Sequence, residues 1–157
     1  MTLFSFPNPV NEVSARLVAG GVLLMSLAAI VLGQPWIAVV IAYGFVARVL
    51  TGPTLSPLGQ IVTRVITPRL NVAPRPVPGP PKRFAQGMGA VFSVTAAVLG
   101  LGLGLHTAAY ALLGLLVVAA TLESVFAFCI GCKLFALLMR AGIIPASVCE
   151  RCVSVAV

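Results

Sequence analysis

Four long apolar stretches, separated by two tight breaks and one long proline-rich segment, set the pattern of this chain. They are RLVAGGVLLMSLAAIVLG at positions 16–33, PWIAVVIAYGFVARVL at 35–50, FAQGMGAVFSVTAAVLGLGLG at 84–104 and HTAAYALLGLLVVAATLESVFAF at 106–128. A helix needs about 20 mostly apolar residues to cross a bilayer, and these runs reach or approach that length. The breaks at Gly33–Pro35 and Leu105–Thr107 are tight, so the first two runs predict one helical hairpin and the last two another. The expected fold class is therefore an all-α integral membrane protein, a single membrane domain over 1–157. It has four transmembrane helices arranged as two hairpins, a short interfacial helix and a cysteine-rich C-terminal segment at 129–157.

The stretch 51–83 reads as a proline-rich loop. TGPTLSPLG cannot continue a helix. LGQIVTRVITPRL has the composition of a short amphipathic helix lying on the membrane surface. NVAPRPVPGPPKRF is proline-dense and is expected to be stiff and extended. After position 128, CIGCKLFALLMRAGI either prolongs the fourth helix or forms a separate interfacial one, and Pro145 ends it.

Composition strengthens the membrane reading. Of the 157 residues, 60% are hydrophobic and 8% charged, against about 25% charged in a soluble domain. The first run reads as a retained helix, because AIVLGQPW offers a weak signal-cleavage site. The net charge is +7, and no basic stripe interleaved with aromatics appears, which argues against nucleic-acid binding. With the N-terminus inside and four helices threaded, Arg16, Arg48, Arg64, Arg69, Arg75, Lys82, Arg83, Lys133, Arg140 and Arg151 all fall on one side. The positive-inside rule makes that side cytoplasmic. The expected location is the inner membrane, multi-pass, with both termini cytoplasmic. The expected surroundings are the bilayer and anionic lipid headgroups touching Arg69, Arg75, Lys82 and Arg83.

All four cysteines then lie at the cytoplasmic face as two CxxC pairs, Cys129/Cys132 and Cys149/Cys152. A reducing compartment disfavours structural disulfides. Three readings stay open. In the redox reading the pairs are dithiols, Lys133 and Arg151 favour thiolate, and the second pair sits on a mobile tail after Pro145. If the segment is helical, Cys129 and Cys132 lie one turn apart on one face. In the metal reading, the spacing C-x2-C-x16-C-x2-C lets Cys129, Cys132, Cys149 and Cys152 close a tetrahedral zinc site or hold an iron–sulfur cluster. In the third, the cysteines are small apolar fillers, which poorly explains their paired arrival.

Glu123 is the only acid inside an apolar run. Intramembrane ionisable residues are functional candidates, so it is a candidate proton acceptor for Cys129. On a continuous helix, however, Cys129 lies about 120° round from it. Only a break at Gly131 or bundle packing brings the two together. The favoured role is structural, an Arg48–Glu123 ion pair between the hairpins. His106 is far from the cysteines, in the opposite turn. Ala96, Gly100 and Gly104 form a ridge of small residues suited to close helix packing. No carboxylate pair or serine–histidine arrangement supports hydrolysis.

RVLTGPTLSPLGQIVTRVITPRL, VPGPPKRFAQG, LESVFAFCIGC and LMRAGIIPASVCERC together resemble a bacterial family of small integral membrane proteins, domain of unknown function 4395. The resemblance spans nearly the whole chain. Proteins of that kind are often encoded near thioredoxin-like proteins and sulfurtransferases, so the resemblance implies a partner of this class, and it marks Glu123, Cys129, Cys132, Cys149, Cys152 and the Val77–Phe84 loop. The resulting expectation is thiol–disulfide exchange or sulfur transfer with such a partner. The alternative is a non-catalytic membrane scaffold or subunit whose cysteines bind zinc or an iron–sulfur centre.

Overall fold

Asn11 opens the first helix by accepting the Val13 N–H on its side chain at 3.1 Å, in the computed structural model, which describes residues 4–150 and 152. Helix α1 runs Glu12–Val31, starting one turn before the apolar run because the Asn11 cap satisfies one free N–H and the Glu12 charge favours the positive end of the helix dipole. Helix α2 is Ile37–Thr51. A short α3 (Pro57–Ile61) continues through a π-helical turn at Val62–Ile66 into α4 (Thr67–Arg69), where the interfacial helix was expected. Helix α5 is Gly79–Ala97 with a π-helical end at Val98–Gly102, and α6 is His106–Phe126. Helix α7, Ile130–Arg140, is a separate short amphipathic element.

Among the described residues, three helices are long and apolar enough to cross a membrane: α1, α5 with its extension, and α6. The fourth expected span, α2, is apolar but has only 15 residues. The start of α5 departs from expectation. Gly79–Arg83, expected as extended loop, is the first helical turn, because the missing N–H groups of Pro80 and Pro81 have no partner to lose there. A short antiparallel pairing ties this stretch to the N-terminal segment. Strand β1 (Val10–Asn11) pairs with β2 (Pro76–Val77), and the Glu12 N–H donates to the Arg75 carbonyl at 2.8 Å.

The most extensive packing joins α1 to α6 and α2 to α5. The core between the four long helices is built from Val22, Ala29, Ala38, Ile41, Phe45, Ala96, Leu113 and Ala120. Ser26 and Ser93 are fully buried there too. Small residues let the backbones approach, which replaces the hydrophobic driving force that lipid does not supply. Outward-facing positions are large and apolar: Leu24 and Val31 on α1, Val40 on α2, Val91 on α5, Leu115 and Val125 on α6. In water such a surface is a liability, whereas lipid tails cover it without cost.

Of the small-residue ridge, Ala96 is buried and Gly100 packs near Pro35 and Ala109, while Gly104 is an open turn residue at φ 66. The tightest glycine contact in the bundle is Gly89, whose added Cβ collides with the Phe45 ring. Gly89→Val is expected to destabilise the α2–α5 interface by about 1–3 kcal/mol. Thermal unfolding in detergent checks this, and an unchanged transition would show that the interface repacks freely.

Candidate functional site

Helix α6 stops at Phe126, not at Phe128. Ala127 takes a left-handed backbone at φ 55, and the N–H groups of Ala127 and Phe128 both return to the Leu122 carbonyl. This is a helix-terminating turn of the αL kind. Arg16 of α1 covers two more carbonyls of the last turn, donating to Ser124 O at 3.0 and 3.1 Å and to Val125 O at 3.1 Å. The break therefore falls at Ala127, before the first cysteine rather than at Gly131.

The break changes what the first CxxC is. Cys129 is extended (φ −92, ψ 106) and caps the N-terminus of α7, instead of sharing a helical face with Cys132. Its Sγ accepts the Cys132 N–H at 3.3 Å and the Cys132 S–H at 2.7 Å. A sulfur at a helix N-terminus meets free N–H groups and the positive end of the helix dipole, both of which favour thiolate. The hydrogen bond from Cys132 holds the Cys129 thiol below its ordinary range, burial and the Glu123 carboxylate oppose this, and the Lys82 ammonium adds to it. The same hydrogen bond, with burial, pushes the Cys132 thiol up. The two thiols of one pair are thus shifted in opposite directions, Cys129 down and Cys132 up.

Gly131 explains itself in this setting. An added Cβ there lies 2.6 Å from the Ala85 Cα, so glycine lets α7 press its first turn onto α5. Phe135 packs on Phe84 at 5.7 Å between ring centroids and fixes the other end of the contact.

Glu123 bonds to Lys82, not to Arg48. Lys82 Nζ donates to Glu123 Oε1 at 2.8 Å, and the two side chains are 9% and 16% exposed. The early start of α5 is the cause, since it places Lys82 on a helical turn facing α6. Arg48 instead donates to Gln86 Oε1 at 2.9 Å and Ser56 Oγ at 3.1 Å, with its guanidinium 4.7 Å from the Phe45 ring centroid. Sequence reasoning counted Lys82 as a headgroup contact and did not single out Gln86 or Ser56. The Pro-Pro-Lys order was the available signal, because prolines mark a first helical turn.

The second pair is oxidised: Cys149 and Cys152 are joined by a disulfide. Both Cys149 and Cys129 are buried. Cys129, Cys132 and Cys152 line one open groove of about 610 Å³, together with Lys82, Lys133 and Arg140. So the fold brings the two pairs to the same groove, one as dithiol and one as disulfide. Among the described residues, no three His, Cys, Asp or Glu side chains converge to hold an ion. Arg151, invoked as a cation beside the second pair, lies outside the described residues. His106 sits at the far end of the bundle, stacked 6.4 Å from Tyr110.

The sequence pattern of a family described as a domain of unknown function (DUF4395) matches residues 10–140, which include the four long helices and the Cys129/Cys132 pair. No curated protein and no solved structure matches the chain.

Proposed function

The chain belongs to the DUF4395 family, and from that premise we propose that it carries out thiol–disulfide exchange at the cytoplasmic face of a bacterial inner membrane. One observation carries the reading. Cys129 caps α7 with its sulfur held toward thiolate, Cys132 keeps its proton, and the Cys149–Cys152 disulfide borders the same groove.

The chemistry is two successive displacements. Cys129 thiolate attacks a sulfur of a disulfide, forming a mixed disulfide and releasing the other sulfur as thiolate. Cys132 then gives up its proton and attacks the Cys129 sulfur. A Cys129–Cys132 disulfide closes, the second sulfur leaves, and the two released thiolates take up protons. Two electrons pass from the dithiol to the acceptor. The Cys149–Cys152 disulfide is one such acceptor. The other is a thioredoxin-like protein or a sulfurtransferase, the partner class that the family resemblance implies. Lys133 and Arg140 give the groove a basic rim for it.

For orientation, four spans with both ends cytoplasmic agree with the basic residues around the cysteine end. The large apolar residues on the outside of α2, Val39, Val40 and Tyr43, suit a helix crossing lipid despite its shortness. A membrane-impermeant maleimide added to intact cells is expected to leave the cysteines unlabelled, and to label Cys129 after the inner face is opened. Labelling from outside would invert the topology.

Alkylation against pH tests the nucleophile. A lowered thiol pKa populates thiolate below the ordinary range of about 8.5. Cys129 is therefore expected to alkylate first, with a rate midpoint below that of a free cysteine, while Cys132 stays slow at neutral pH. Cys132→Ala removes the S–H donor that holds the Cys129 thiol down, so the midpoint is expected to rise. Equal reactivity of both thiols, with ordinary midpoints, would sink the assignment. Elemental analysis of anaerobically purified protein decides the metal alternative: about one zinc per chain, or iron with sulfide, alongside four protected cysteines would replace the redox reading.

A further inference from the structure

A second cavity, of about 250 Å³, lies on the other side of the first CxxC. Ile130 and Gly131, the two residues between Cys129 and Cys132, form part of its wall. It lies between α1, α2, α5 and α6, and its two ends differ in chemistry. Arg48, Gln86 and Glu123 line the end near the cysteines. Val22, Phe92 and Leu116 line the deep end. Glu123 and Leu115 are eight residues apart on α6, so the cavity reaches about 12 Å along the helix. Leu115 and Val118 also border it and are 56% and 55% exposed, so it opens sideways toward lipid.

The polar end is incompletely satisfied. Arg48 is 5% exposed, and its Nη2 has no hydrogen-bond partner among the described residues. Its other nitrogens bond to neutral groups, Gln86 and Ser56. Glu123 is taken by Lys82, the ion pair found among the described residues. A guanidinium inside a helical bundle without a bonded anion is costly, and a buried donor left unmade adds to that cost. A ligand that supplies an anionic oxygen to Arg48 and an apolar body to the deep end removes both costs.

We infer that this cavity binds a long-chain amphiphile with an anionic head, carboxylate or phosphate. The head meets Arg48 and the chain runs down past Phe92 and Leu116 and leaves between α5 and α6. This site is internal and separate from any headgroup contact at the surface cations, and it stands without the thiol-exchange reading.

Binding of the fluorescent fatty acid parinaric acid to the full chain in mild detergent, beside its methyl ester, tests it. The acid is expected to bind at least about tenfold tighter than the ester, a difference of about 1.4 kcal/mol. Arg48→Met is expected to erase that preference. Ala119→Phe fills the cavity from α6 and leaves Arg48 in place, so it is expected to remove binding of both probes. It also keeps the test sound if Arg48→Met fails to fold. Equal binding of acid and ester to the wild type, or binding that survives Ala119→Phe, overturns the proposal. Lipid extracted from the purified protein separates the sources. One phospholipid per chain assigns the phosphate head and one fatty acid the carboxylate, whereas one neutral quinone per chain overturns the anionic assignment.

Discussion

Cys129→Ser is expected to reduce disulfide exchange by this protein to the buffer background, whereas Cys132→Ser is expected to trap a mixed disulfide through Cys129. The asymmetry follows from the hydrogen bonds. Cys129 Sγ receives two donors at the start of α7, and Cys132 supplies both. Without Cys129 no poised thiolate remains, and serine is not ionised at neutral pH. Without Cys132, the first displacement still occurs but nothing resolves its product. Two trapped species are expected from Cys132→Ser: one with a thioredoxin-like or sulfurtransferase partner, and one internal, Cys129 with a cysteine of the second pair. Non-reducing electrophoresis and mass mapping separate them. In the internal species, mass mapping is expected to find Cys129 joined to Cys152, the member of the second pair that lines the groove, with Cys149 released as the leaving thiolate. If all four serine variants behave alike and each loosens the C-terminal segment, the four cysteines act as one structural unit and the exchange mechanism is wrong.

Glu123→Gln is expected to cost about 3 kcal/mol of stability, because it leaves the Lys82 ammonium buried without its counter-charge. For a chain of this size that corresponds to a fall in Tm of about 6–12 °C. Lys82→Met should cost a similar amount, leaving the carboxylate unpaired. The double variant Lys82→Met/Glu123→Leu should recover most of the loss, since two apolar side chains need no partner. The thiol chemistry moves in a defined direction. The Glu123 charge raises the Cys129 thiol and the Lys82 charge lowers it. Glu123→Gln should therefore leave Cys129 at least as reactive as before, and Lys82→Met should make it slower at neutral pH. A Glu123→Gln protein that folds normally but has lost thiol reactivity would make Glu123 the proton acceptor instead.

These two results bear on the Val77–Phe84 stretch as well. Its residues form β2, the start of α5 and the position of Lys82, so the proline-rich motif holds the cation that faces the dithiol.

Much of this molecule could be read from the order of its residues. The long apolar runs, the tight turns at Gly33–Pro35 and Leu105–Thr107, and the collection of basic residues at one end are local properties. Hydrophobic length and charge position act through the solvent, with no need for a partner residue. The amphipathic run after Ser56 and the end of α7 before Pro145 were legible for the same reason. The pairing of the cysteines is equally local, since it is a matter of spacing along the chain.

The rest depended on contacts between distant positions. Arg48 and Lys82 are both cations near the same end, and only the helical start at Gly79 decides which one reaches Glu123. The break at Ala127 has no glycine or proline to announce it, and it is held by the carbonyl of Leu122 and by Arg16 from another helix. That break turns Cys129 from one more helical residue into the cap of α7. Whether the two cysteine pairs meet was likewise undecided by spacing, since sixteen intervening residues can fold either way. Helix α7 packing on α5 through Gly131 brings them to one groove. Sequence determines which groups are present and which segments seek lipid, and tertiary packing determines which groups stand within the few ångströms over which hydrogen bonds and sulfur chemistry act.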